Sequence, residues 1–161
     1  MPFGQEEMAV IVPLNHPFTR RKSIPFRDLA AERFIMKENG SGTRKLVDAL
    51  FQQEDCTPNT LMETSNTEFI KQLVQRGEGV SFVVKEAVAA ELKEKKLATV
   101  PLSGPKVYLD VSIACLKNQI LSAPADAFVE TLRKLKSEDM HPMGIGMLMT
   151  RILAQRRQSE K

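Results

Sequence analysis

The stretch Glu63–Ala87, ETSNTEFIKQLVQRGEGVSFVVKEA, decides the fold. It reads as strand end, turn, helix, glycine stop, buried strand and helix start. Ser65-x-x-Glu68 has the spacing of a capping box, in which the Ser65 hydroxyl accepts from the Glu68 N–H and the Glu68 carboxylate accepts from the Ser65 N–H. Phe69, Ile70, Leu73 and Val74 fall on one helical face, the pattern of a helix lying on a sheet. Gly77 and Gly79 flank Glu78 and are expected to end that helix, because glycine takes the left-handed conformation at little cost. Val80, Phe82, Val83 and Val84 make a short, almost wholly apolar run, as expected of a parallel strand covered on both faces.

Working outward, ENGSGTRKLVDALF (residues 38–51) repeats the theme. Asn39–Thr43 is a small polar turn, and Leu46, Val47, Leu50 and Phe51 form an apolar helix face. The same spacing returns at Phe69, Ile70, Leu73 and Val74, so two similar helices are each entered from a strand through a polar turn. Two copies are too few for a solenoid. Strands are predicted at Met8–Val12, Phe34–Met36 and Thr60–Met62, an extended segment at Leu97–Leu102 and a long strand at Val107–Leu116. A short helix is predicted at Phe26–Ala31 behind Pro25, and another at Glu86–Lys93. A last helix carries Pro124 in its first turn and buries Phe128, Val129, Leu132 and Leu135. Beyond it, Ser137–Gly146 reads as a linker and Met147–Arg156 as an amphipathic helix, which either covers an apolar surface or belongs to a loosely ordered terminus.

Strands alternating with helices argue for an α/β domain with a largely parallel sheet. Such sheets bind ligands at the carboxyl ends of their strands. That rule points to the two turns, with Ser41, Gly42 and Thr43 in the first and Ser65, Asn66 and Thr67 in the second. Hydroxyls and free N–H groups at helix starts suit a small anion. Plain helix capping needs the same residue types and stands as the competing reading. The first turn is not a phosphate-binding P-loop, since Lys45 is followed by Leu46 rather than Ser or Thr.

Other chemistry is sparse. His16 and His141 have no evident partners, Ser81 lies in no nucleophile elbow, and no catalytic set, metal site or cofactor motif emerges. An enzyme is therefore not expected. The chain of 161 residues suits one domain, and its net charge of +3 is too weak to suggest nucleic-acid binding, with Lys93, Lys95 and Lys96 reading as a solvated helix end. Cys56 and Cys115 lie far apart; Cys115, in an apolar run, reads as a core thiol, and a reducing compartment fits. Met1–Glu7 is polar and lacks the pattern of a secretory leader, and no run of 18 apolar residues spans a membrane, so a cytoplasmic location is expected.

Several segments together resemble the effector-binding domain of LysR-type transcriptional regulators. They are EEMAVIVPLNHPF (6–18), SIPFRDLAAERFIM (23–36), ENGSGTRKLVDALF, GEGVSFVVKEAV (77–88) and VYLDVSIACLKNQILSAPADAFVETL (107–132). The resemblance covers residues 6–135 and leaves 136–161 as a linker and possible helix without family counterpart. It implies a three-layer α/β/α arrangement with a mixed, mainly parallel sheet, like the second subdomain of a type 2 periplasmic-binding-protein fold. It further implies an effector facing Ser41, Gly42 and Thr43 in the first turn and Ser65 and Asn66 in the second, to which the turn chemistry adds Thr67 and a small anion as ligand, and DNA contact only through a DNA-binding domain outside this chain. A solute-binding protein of the same fold, capturing an anion for transport, is the alternative. Only the final strand and helix of the family's first subdomain match. The returning pieces, Val107, Leu109, Val111, Ile113, Phe128 and Leu132, should then expose apolar surface and drive homo-oligomerisation with help from the tail.

Overall fold

The computed structural model describes residues 1–116 and 120–139, the last five by backbone alone. Contacts divide them into a unit of Glu7–Leu109 and a unit formed by Met1–Glu6 with the chain from Asp110 onward. The predicted tail helix Met147–Arg156, His141 and the Leu135 side chain lie outside what is described.

In the larger unit, the part of strand β1 (Pro2–Val12) from Glu7 onward is the hub. It pairs antiparallel with β4 (Ser81–Val84), from Met8 opposite Val84 to Ile11 opposite Ser81, and with β5 (Ala98–Val100) on its other edge. Strands β2 (Arg33–Lys37) and β3 (Asn59–Thr64) form a parallel pair. Val80, just before β4, joins β2 in parallel: its N–H donates to Arg33 O and its carbonyl accepts from Ile35 N–H, both at 2.8 Å. The strand order is therefore β3–β2–β4–β1–β5, with β1 alone running against the rest. Strand directions are thus mixed and mainly parallel, as the resemblance implies, although β4, expected as a purely parallel strand, pairs antiparallel with β1.

Residue alternation sends side chains to two faces. Val10, Val12, Phe34, Met36, Phe82 and Val100 pack on one side with Phe26 and with Val47 and Phe51 of α1 (Gly42–Gln53). Ile11, Ile35 and Val83 face the other side, against Ile70 and Val74 of α2 (Thr67–Gln75), Val88 and Leu97. Helix α3 (Ala89–Lys93) lies on this second side, with Leu92 packed on the cluster. Two apolar layers explain why the central strands carry apolar residues at consecutive positions. Each fully buried large aliphatic or aromatic side chain contributes about 1.5–3 kcal/mol.

Local details depart from expectation. The segments Phe26–Ala31 and Lys85–Val88 are 3-10 turns, the second running directly into α3. β1 begins at Pro2, not Met8, because β6 (Tyr108–Ser112) supplies a partner: Met1 bonds Ile113 at one end and Met8 N–H reaches Val107 O at the other. β6 itself is shorter than the predicted Val107–Leu116 strand. In the smaller unit, Phe3 and Leu132 form the core with Val111 and Ile113 against them, and Val129 is also buried. The helix here, α4 (Ala123–Asp139), continues past Ser137, where a linker was expected. Leu132 is buried, as its helix face predicts and against the exposure expected of the returning pieces, whereas Phe128 is half exposed, against the predicted buried face. Cys115 is exposed rather than a core thiol, since the strand ends before it.

Candidate functional site

β2 and β3 lie side by side and end together, Lys37 opposite Thr64. Each then turns into a helix, so the turns before α1 and α2 sit at the same end of the sheet. All six residues singled out in the sequence are at this edge. Ser41 caps α1, its hydroxyl accepting from the Arg44 N–H at 3.0 Å. Gly42 is exposed and Thr43 partly so.

The second turn corrects the capping-box expectation. Asn66, not Ser65, caps α2: its Oδ1 accepts from the Phe69 N–H at 3.1 Å. Thr64 Oγ1 in turn accepts from the Asn66 N–H at 3.2 Å. The helix consequently starts one residue later than a Ser65 cap requires, and Glu68 turns away to pair with Lys71 at 2.7 Å. Ser65 is left exposed with its carbonyl accepting from Lys37 Nζ, and Thr67 Oγ1 accepts from the same ammonium at 3.0 Å.

Lys37, Arg44 and Glu63 belong to this edge and were not anticipated. Arg44 Nε donates to both Asp48 oxygens at 2.9 Å, while its Nη1 reaches Glu63 at 2.7 Å and the Lys37 carbonyl at 3.2 Å. The Glu63 bond, outweighing burial and aided by Asp48, pushes the guanidinium pKa further up, so its charge is permanent. Lys37 thus ties the second turn to β2, and Arg44 ties α1 to β3. A lysine ending a buried strand beside a polar turn is the only sequence signal for the first; the Arg44–Glu63 contact had none.

His16 and Ser81 have structural partners. His16, expected to be alone, is mostly buried: Nδ1 accepts from the Phe18 N–H at 3.2 Å and Nε2 lies 3.5 Å from Glu32. Ser81 donates to Ile35 O at 2.7 Å inside the core. An open recess of about 330 Å³ at the far end of α1 contains Cys56, Asp55 and Asp48, but no group of metal-binding side chains occurs among the described residues.

Comparison with known proteins decides the family. The LysR substrate binding domain model matches residues 1–136. The chain belongs to the LysR substrate-binding domain family. It is 37% identical over 123 residues to the transcriptional regulator CbbR of Xanthobacter flavus, covering 74% of this chain and 37% of that one. It is 30% identical over 135 residues to a probable RuBisCO transcriptional regulator of Trichormus variabilis, covering 82% of this chain and 40% of the relative. The chain thus spans about two fifths of the length of these curated relatives. Among solved structures it is similar to the effector-binding domain of QuiR in complex with shikimate, with TM-score 0.77, 25% identity and coverage of 86% of this chain and 65% of that one. It is also similar to the Synechocystis CcmR regulatory domain in complex with 2-PG, with TM-score 0.73, 27% identity and 86% and 66% coverage. The two curated relatives are described as transcriptional regulators, and the two structures as effector-binding and regulatory domains. No helix among the described residues is long and apolar enough to cross a membrane.

Proposed function

We propose that this chain is the effector-sensing part of a LysR-type bacterial transcriptional regulator. On this reading the regulator is cytoplasmic and oligomeric, and DNA is contacted by another part of a longer protein. The effector is a small anionic metabolite bound at Ser41, Gly42, Thr43, Ser65, Asn66 and Thr67. The carrying observation is the placement of two helix-entering turns side by side at the carboxyl ends of adjacent parallel strands, next to the Lys37 ammonium. Helix starts present N–H donors and positive dipole ends to an anion. The regulatory descriptions of the relatives favour sensing over capture for transport.

Calorimetric titration with small carboxylates and phosphate esters, shikimate and 2-PG among them, tests the site. One such compound should bind saturably, and Ser65→Ala and Thr67→Ala should each weaken it by about 3- to 10-fold, the loss of one hydrogen bond. A ligand whose affinity ignores substitutions in both turns overturns the siting. Saturable binding of neutral compounds alone overturns the anionic class.

A further inference from the structure

We propose that Lys37 is the specificity-determining charge of this site, the group that selects an oxyanion over a neutral compound; the inference rests on the effector-site reading above. Three cations lie near the two turns. Arg44 is mostly buried and held by two carboxylates, Asp48 and Glu63, which offset its charge. Lys45 stands exposed on α1, where water screens it. Lys37 is half-buried, and among the described residues no carboxylate lies within ion-pair distance of it. Its ammonium is held by two neutral acceptors, the Ser65 carbonyl and Thr67 Oγ1, which orient the group without cancelling its charge.

An ammonium has three N–H donors, so two such bonds leave one for a ligand. A partly desolvated cation with neutral partners keeps an attraction for anions that a carboxylate-paired one has lost. The balance of one uncancelled charge suits one oxyanion group, a carboxylate or a phosphate. The two N-capping side chains, Ser41 and Asn66, are occupied by backbone N–H groups and add no positive charge. Lys37 therefore discriminates by charge, while the turns supply shape and hydrogen bonds.

The test uses inorganic phosphate as probe, followed by amide NMR shifts of the whole chain, with urea as a neutral probe of hydrogen bonding. In the unaltered chain, phosphate should shift the amides of both turns saturably, and urea should not. Lys37→Gln should weaken phosphate binding about tenfold or more, while Lys37→Arg retains most of it and Lys45→Gln changes nothing. Thr67→Val, which removes an acceptor but keeps the cation, should cost less than Lys37→Gln; this separates charge from support of the turn. The amide spectrum itself reports whether each variant is folded. Unchanged phosphate affinity in Lys37→Gln overturns the role of Lys37 and leaves the effector site standing. Equal losses in Lys37→Gln and Thr67→Val, with no retention by arginine, reduce Lys37 to a brace and also overturn it. Absence of any shift at the two turns in the unaltered chain overturns the anion-site reading and this inference with it.

Discussion

Gly77 and Gly79 look alike in the sequence and serve different ends. Gly77 has φ +79° and closes α2 as a Schellman motif, its N–H bonding Val74 O at 2.9 Å while the Glu78 N–H bonds Leu73 O at 3.0 Å. A Cβ on Gly77 would meet open space, so Gly77→Ala bears only the left-handed strain, about 1–2 kcal/mol. Gly79 has no positive φ; a Cβ there would overlap the Arg33 carbonyl oxygen, which the neighbouring Val80 N–H bonds. Gly79→Ala must push β2 away from β4 and should cost more, about 2–3 kcal/mol as overpacking against backbone. Urea midpoints of the two variants measure the order, and an equal or smaller loss at Gly79 contradicts the close-approach argument. The sequence marks both as glycines near a helix end but cannot tell a turn requirement from a contact 46 residues away.

At the level of elements, the start of α2 offers a direct check. Asn66→Ala should destabilise by about 1 kcal/mol through loss of the cap, whereas Ser65→Ala should change stability little, because Ser65 caps nothing. Thermal unfolding compares the two, and a larger loss at Ser65 would restore the capping box. Lys71 fastens the same helix to its neighbour: only 7% exposed, it meets Glu68 and Glu91 at 2.7 Å and donates to Ala87 O at 3.2 Å. Burial alone would raise the Glu91 pKa, but the bond to Lys71, a backbone hydrogen bond and the charges of Lys71 and Lys96 together hold the carboxyl below its usual range. A carboxyl depressed by folding stabilises above its unfolded value and loses that contribution as pH falls through the folded one. For Lys71, burial would lower the pKa, but the two carboxylates raise it, so its contribution is lost only as pH climbs through that raised value. Glu91→Gln should therefore flatten the acid limb of stability against pH, measured by urea midpoints from neutrality down through the carboxylate range. A limb as steep as the parent's rules out this pair as its source.

For the whole molecule, the two most exposed large apolar side chains among the described residues, Leu116 and Ile120, belong to the smaller unit. Leu116 is 75%, Ile120 96% and Phe128 50% exposed. Contiguous apolar surface tends to find a partner. The chain should self-associate in a concentration-dependent way, and a version ending at Ser137 should do so less if the tail contributes. Light scattering on both distinguishes these outcomes, and monomers in both cases remove the idea. Phe128→Glu should weaken association without unfolding the chain, since half of that side chain already meets solvent. Specific retention of duplex DNA by this chain is not expected, given a net charge of only +3.

Local regularities were legible because backbone geometry creates them. The two-residue alternation at Val10, Ile11 and Val12, at Phe34, Ile35 and Met36, and at Phe82 and Val83 made a sheet covered on both faces necessary, and the matched helix faces supplied the covers. The two polar turns were found as a pair for the same reason. What only the tertiary structure decided is which distant groups meet. Strand register brought Lys37 to Ser65 and Thr67 and placed β1 between β4 and β5, while packing gave His16 its contact with Glu32 and Arg44 its contact with Glu63. Periodicity states which face a side chain occupies, but a polar contact depends on the end-to-end alignment of elements far apart in the chain, and no local pattern encodes that alignment.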